Sequence, residues 1–327
     1  MAKYILKRLL WIIPVILGVV LIVYAISYFS PGDPVMAMLG AKNYTPEKYA
    51  ELSKQFGLDK PFFAQYFNYI KNVFLHGDFG LSYTYRSSIA SEIATRAVYS
   101  IKLGFFSILL TVVLALPLGV LSATKQYSAA DYTLTIVAMF LAGMPNFWFA
   151  LMMMLLFSVH LGWLPATGVG TFAQWIMPVL ALGLGSMAST LRMTRSSMLE
   201  VIRQDYVRTA RAKGLAEGTI TRRHVLKNAL IPVITVVGMH LGTIIGGSVI
   251  IETIFNMPGI GAYMMTAINN RDYPVLNGCV LVLSFSVCVV NLLVDILYAY
   301  VDPRIKVQYE AQQKKRIKKQ KTAKEAA

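Results

Sequence analysis

The sequence predicts an all-α membrane protein with six transmembrane helices and a small folded external loop after helix 1. Three observations carry this prediction. The chain is 56% hydrophobic and 14% charged, with a mean hydropathy of +0.56, whereas a soluble domain devotes about a quarter of its residues to charge. The apolar residues are also grouped. No Asp, Glu, Lys or Arg occurs from Leu9 to Gly32, from Leu103 to Thr124, from Tyr132 to Leu191, from Asn228 to Ile251, or from Tyr273 to Val294. Finally, most of the basic residues fall in alternate connections between these stretches.

A hydrocarbon core about 30 Å thick needs roughly 20 apolar residues of helix, so four of the stretches hold one span each. The stretch from Tyr132 to Leu191 is too long for one. Gly162, Pro165, Gly168 and Gly170 interrupt it and leave a span on either side. Basic residues are retained on the cytoplasmic side, which places both termini there. Lys3, Lys7 and Arg8 then lie inside with Lys125, the basic residues between Arg192 and Lys227, and those after Asp302. The net charge of +15 is therefore mainly topological. Nucleic-acid binding is excluded as a reading, because it needs the cations on one accessible folded face.

Taken in order, the first span starts basic and carries Ala25 and Ser27 in a small-x-small arrangement. Its apolar run exceeds the 7–15 residues of a signal peptide, so it reads as an uncleaved anchor. Pro31-Gly32-Asp33-Pro34 ends it. Residues 31–98 form the external loop, rich in Tyr and Phe, with Thr45-Pro46-Glu47 as a helix start. Its aromatic content fits a small folded cap and equally fits anchoring at the bilayer interface.

The membrane core, 99–301, holds the other spans: Ile101 to Ala123 with Pro117, Tyr132 to Val159 with Gly143 and Pro145, Phe172 to Met193, Leu230 to Ile251, and Leu276 to Tyr300. Gly242 and Gly246 have the spacing that lets two helix backbones approach. Cys279 and Cys288 lie nine residues apart in one helix, on nearly opposite faces, so no disulfide joins them. A basic cytoplasmic tail, 302–327, follows, and its Lys and Arg run suits anionic headgroups.

Catalytic motifs are missing. No Gly-Lys dipeptide occurs, so there is no Walker A loop. His76, His160, His224 and His240 are scattered, and Gly-x-Ser-x-Gly is absent. Ionisable residues in or near spans are functional suspects. They are His240, expected to bond another helix, Glu252 at the outer end of the fifth span, and Asp295, placed to reach water or to pair with a basic neighbour.

The informative segment is the connection 194–229 and its exit into Pro232. It is too polar to span and too long for a turn. It predicts a helix from Asp205 to Lys213 ended by Gly214 in the left-handed conformation, and a second helix after Gly218. Thr209, Ala210, Ala212 and Gly214 are small enough for another protein's backbone to approach, and Arg208, Arg211, Lys213, Arg222 and Arg223 surround them. The residues alone leave open a partner site or a solvated connector.

This segment resembles the cytoplasmic EAA loop of binding-protein-dependent ABC importers, and more narrowly that of the oligopeptide/dipeptide permease family. Arg208-Thr209-Ala210 stands at the Glu-Ala-Ala position, Gly214 at the glycine, and Ala229-Leu230-Ile231-Pro232 at the end. The leading Glu is Arg208 and fourteen residues separate Gly214 from Ala229, both as in the peptide subfamily. Similar landmarks run in order along the chain: Tyr4 to Leu10, Pro31 to Pro34, Gly77 to Gly80, Leu161 to Pro165, Glu252 to Gly261, and Asp302-Pro303-Arg304.

The resemblance implies the ABC importer permease fold and a non-catalytic subunit in the bacterial plasma (inner) membrane. It implies a second homologous permease, two ABC ATPase subunits that hold ATP and magnesium, an external substrate-binding protein or lipoprotein, and a peptide substrate; this chain carries no cofactor or metal. ATPase coupling is expected at Asp205, Tyr206, Arg208, Thr209, Ala210, Ala212, Gly214 and Leu215. A gate or docking surface for the binding protein is expected at Glu252, Phe255, Pro258, Gly259 and Gly261, facing outward. The competing class, a self-contained secondary transporter or channel, predicts repeat symmetry, and the sequence shows no repeat.

Overall fold

The computed structural model describes residues 2–31, 33–39 and 44–301. Gly32, Asp302-Pro303-Arg304 and the basic tail lie outside the described residues. Helices α1 (Ala2–Phe29), α5 (Ile89–Thr124), α8 (Phe172–Ile202), α11 (Lys227–Ile254) and α13 (Tyr273–Val301) form the bundle, with α2 (Pro34–Leu39), α3 (Pro46–Gln55) and α4 (Phe62–Lys71) above α1. Between them run α6 (Ala129–Gly143), α7 (Asn146–Met153), α9 (Asp205–Ala212), α10 (Glu217–Thr219) and α12 (Ile260–Asn270). Among the described residues no strand forms; Leu81 and Ser88 make one isolated antiparallel bridge.

Five helices are long and apolar enough to cross a membrane. The third crossing differs from its expectation as one span over Tyr132 to Val159. It is two pieces, α6 and α7 with its π-helical continuation Met154–His160, bent by 103°. Gly143 ends the first piece; Met144 (ψ 131°) and Pro145 (ψ 132°) are both extended. Proline pushes the residue before it out of the helical region, and here nothing restores it. By contrast Pro14, Pro117, Pro178 and Pro232 stay inside continuous helices.

The second span also exceeds its expectation. Helix α5 begins at Ile89, inside the stretch assigned to the loop, and its 36 residues reach about 54 Å at 1.5 Å per residue. The extra turns bury Ile89 and Ile93 against Ile260, Tyr263 and Val275, tying the cap region to α12 and α13.

In lipid no hydrophobic force drives helices together, so close backbone approach does. That approach lies between α5 and α8. A Cβ on Gly183 would sit 2.9 Å from the Ser107 carbonyl oxygen, and one on Gly119 2.6 Å from Thr194 Cβ. Thr111 Oγ1 donates across this contact to the Gly183 carbonyl at 3.0 Å. The approach expected at Gly242 and Gly246 does not occur among the described residues. Among those residues a Cβ on Gly246 would meet nothing of another element within 4 Å, and one on Gly242 would meet Asn291 Oδ1 at 3.3 Å.

The external loop is folded. Thr45 caps α3, accepting from Lys48 N at 3.3 Å, with Pro46 in the first turn. Helix α4 docks on α1 through Tyr66, whose hydroxyl donates to the Leu17 carbonyl at 2.9 Å, and through an aromatic cluster of Tyr24, Phe62, Tyr66 and Tyr69. Phe63, Phe67 and Phe74 remain exposed on the other side. The loop thus combines a packed cap with a bare aromatic face suited to an interface.

Candidate functional site

The basic connection between α8 and α11 is a helical hairpin with its own core. Val207 and Ala210 on α9 face Ile220 and Val225 of the following π-helical segment (Ile220–Leu226), together with Met198, Ala229 and Ala123. Burying a side chain such as Val207 contributes about 1.5–3 kcal/mol. The turn is a Schellman motif: Gly214, at φ +78°, donates to the Arg211 carbonyl at 2.9 Å, and Leu215 N donates to Ala210 at 3.4 Å. Arg211 clamps the far side, its Nε and Nη2 meeting the two Glu217 oxygens at 2.7 and 3.2 Å. Asn228 Nδ2 donates to the Tyr206 hydroxyl at 2.9 Å, fixing α9 to the start of α11.

The expected coupling residues therefore divide. Asp205, Tyr206, Arg208, Thr209, Ala212, Gly214 and Leu215 are exposed, while Ala210 is 6% exposed and belongs to the hairpin core. Small size at Ala210 serves packing inside the hairpin, a correction to its reading as a contact surface. The second helix begins at Glu217, one residue before Gly218.

Beneath the hairpin lies a cluster that sequence reasoning missed. Asp131 is 2% exposed. Its carboxylate accepts from Arg195 Nε at 2.7 Å and Nη2 at 2.8 Å, from Ser122 Oγ at 2.5 Å and from Tyr127 N at 3.0 Å. It locks the α5–α6 turn to the last third of α8. The available signal was Ser128-x-x-Asp131, a helix-start pattern, and Ser128 Oγ indeed accepts from Asp131 N at 3.3 Å. Deeper in the bundle, Ser189 Oγ and His240 Nε2 lie 2.8 Å apart, the helix–helix bond expected of His240. Arg8 and Asp295 pair at 2.7 Å, the second of the two alternatives open for Asp295.

At the opposite end, the segment from Glu252 to Gly261 turns α11 back into α12. Asn256, at φ +48°, closes the helix. Glu252 is fully buried, and its Oε2 accepts from Gly261 N at 2.7 Å and Ala262 N at 3.1 Å, so it caps α12 from across the turn. Ile260 N donates to Ser100 Oγ at 2.9 Å. Gly259 and Gly261 leave room for that carboxylate, since a Cβ on either would collide with it. Phe255 is 1% exposed and Pro258 is half-buried. Most residues of this group thus face inward; Thr253 and Asn256 are the exposed ones.

A second anchor was also missed. Asp272, 2% exposed, accepts from Ser82 Oγ at 2.5 Å, Tyr83 N at 3.0 Å and Thr84 N at 3.2 Å. It ties the end of the external loop to the α12–α13 junction. No local pattern announces it, because its partners are 188 to 190 residues away.

A bundle of helices long and apolar enough to cross a membrane is that of an integral membrane protein. The chain belongs to the family of binding-protein-dependent transport system inner membrane components: the family model matches residues 115–307, and the model of its N-terminal part matches 1–102. It is 38% identical to the dipeptide transport system permease protein DppB of Escherichia coli, over 94% of this chain and 99% of that one. Identity to the oligopeptide transport system permease protein AppB of Bacillus subtilis is 40%, over 93% and 99% of the two chains. The fold is similar to a solved amino acid ABC transporter with histidines (TM-score 0.51, 14% identity, 65% of this chain and 94% of that one). It is an ABC importer permease, a non-catalytic membrane subunit.

Proposed function

We propose that this permease imports short peptides, pairs with a second, homologous permease, and is driven by two ATPase subunits that bind the 205–215 hairpin, with an external binding protein delivering substrate. The termini lie in the cytoplasm, which puts the hairpin on the ATPase side. One observation carries this reading. Helix α9 is held by Val207, Ala210 and the Arg211–Glu217 clamp, while Asp205, Arg208, Thr209 and Ala212 around its other side are exposed, with Leu215, 41% exposed, just past its end. A short helix packed on one side and open on the other fits a partner's groove. Peptide as the substrate class is supported by the dipeptide and oligopeptide permeases among its relatives; ATP and magnesium stay on the partners.

Met239, Thr243, Gly246, Ile250 and Thr253 leave one stripe of α11 uncovered, which supports placing the second permease or the translocation path there. Glu252, Phe255, Gly259 and Gly261 then hold the outer hairpin's shape around Pro258, and contact with the binding protein passes to Thr253 and Asn256. The test is Thr209→Trp in the assembled transporter. Thermal stability stays within about 0.5 kcal/mol, as for exposed positions, while binding-protein-stimulated ATP hydrolysis and peptide uptake fall together at least tenfold. Full stimulation with the indole in place would remove the hairpin from the coupling path.

A further inference from the structure

Helix α4 and its π-helical continuation (Asn72–His76) sort their side chains onto three sides. At about 100° per residue, Phe62, Tyr66, Tyr69 and Val73 share one side, Gln65, Asn68 and Asn72 a second, and Phe63, Phe67, Ile70 and Phe74 a third. The first side is packed. Phe62 meets Tyr28 and Phe29 at ring-centroid distances of 5.3 and 5.8 Å, and Tyr66 meets Tyr24 at 5.9 Å while bonding the Leu17 carbonyl. Val73 lies in one core cluster with Ile16, Val20 and Leu281. The second side is polar and lines the open space beneath the cap. The third is bare: Phe63 is 64% and Phe67 63% exposed, Phe74 is exposed too, and Ile70 is half-buried.

The packed side fixes what surrounds the bare one. Its partners on α1 run from Ile16 to Phe29, inside the charge-free stretch that is long and apolar enough to cross a membrane. From Leu17 to Phe29 the helix rises about 18 Å, so a side chain bonded to Leu17 stands beside the crossing part of α1 and not beyond its end. The bare rings also continue the uncovered stripe of α1 itself. Ile22, Ile26 and Phe29 are exposed about one turn apart. Phe29 stacks on Phe62, Phe62 meets Phe63 at 5.1 Å, and Phe63 stacks on Phe67 at 6.5 Å. One apolar surface thus passes from the span onto the loop helix without a polar break. Lys71 is exposed on the border between the bare and polar sides, where a stem lies on apolar surface while its ammonium reaches headgroups.

We propose that α4 and its continuation form an interfacial helix set into the outer leaflet, with Phe63, Phe67 and Phe74 among the acyl chains and Asn68 and Asn72 toward water. Amphipathic helices lie this way, their apolar face about 5–10 Å into the boundary between headgroups and chains. The external loop is then held from two directions, by α1 through Tyr66 and by lipid through the bare rings. This seat in the bilayer is independent of which substrate the transporter carries.

The test adds one tryptophan at a time to the helix in the assembled transporter. The samples are nanodiscs of ordinary phosphatidylcholine or of phosphatidylcholine brominated on its acyl chains, and wild-type emission in the same lipid is subtracted. The added emission of Phe67→Trp is expected to lose at least half its intensity in the brominated lipid and to resist acrylamide. Asn68→Trp, one residue on but on the polar side, is expected to do the reverse. Phe63→Trp repeats the measurement on the bare stripe and carries the test if Phe67→Trp fails to assemble. Stripe tryptophans that acrylamide quenches as readily as Asn68→Trp would face water, and the proposal would fall. Stripe tryptophans shielded from both quenchers would be covered by a protein partner, which overturns the assignment to lipid equally.

Discussion

Asp131 decides what a single side chain does at the basic end. Its carboxylate satisfies donors from Arg195, Ser122 and Tyr127, which belong to α8, to α5 and to the turn between α5 and α6. Removing one partner of a buried pair leaves the other charge uncompensated, at a cost of about 3–5 kcal/mol. Arg195 is partly exposed, with a side-chain exposure of 26%, so Arg195→Met falls at the low end, roughly 3 kcal/mol. Chemical unfolding in detergent measures it. The double variant Asp131→Asn, Arg195→Met loses less than the sum of the two singles, because each change already removes the shared bond; strict additivity would mean the pair is not coupled. This cluster was only half legible beforehand. Ser128-x-x-Asp131 marks a helix start, but nothing local says that the acid also reaches a residue 64 positions on.

Among the elements, α9 is the one whose two faces differ most in what they demand. Its length, its start at Asp205 and its glycine stop were legible, because capping and left-handed turns are local chemistry. Its burial pattern was not. Ala210 and Ala212 look alike in sequence, yet one lies in the hairpin core and the other in solvent, since that depends on where Ile220 and Val225 return. The consequence is testable at Ala210 itself. Ala210→Leu overpacks the core at a cost of about 1–3 kcal/mol and loosens the hairpin, seen as faster hydrogen exchange over 205–226, whereas Ala212→Leu leaves exchange unchanged. Equal exchange in the two variants would sink the assignment of faces. The bent third crossing follows the same logic: Gly143 and Pro145 were visible, but four other prolines sit in unbroken helices, so proline alone does not foretell a 103° turn.

Across the whole molecule, apolar stretches made the bundle legible, because the bilayer imposes a length on every span. The long-range ties were not, and they are what join the external loop to the bundle. Tyr66 fastens α4 to α1, and Asp272 fastens residues 82–84 to the α12–α13 junction. Asp272→Asn keeps the shape but replaces one acceptor oxygen with a donor and removes the charge. Hydrogen bonds to charged groups contribute about 1.5–3 kcal/mol, so the segment that Asp272 holds opens more often. Arg86, exposed and at φ +57° in the same turn, then becomes a better trypsin site. Cleavage after Arg86 is expected to rise at least tenfold when opening is fast relative to cutting, since the rate then tracks the open population. The hairpin at the other end of the bundle shares no contact with this anchor, so its hydrogen exchange stays at the wild-type rate. A variant that exchanged faster at both ends would instead mean that Asp272 supports the bundle as a whole, and the external loop would no longer count as a separately anchored unit.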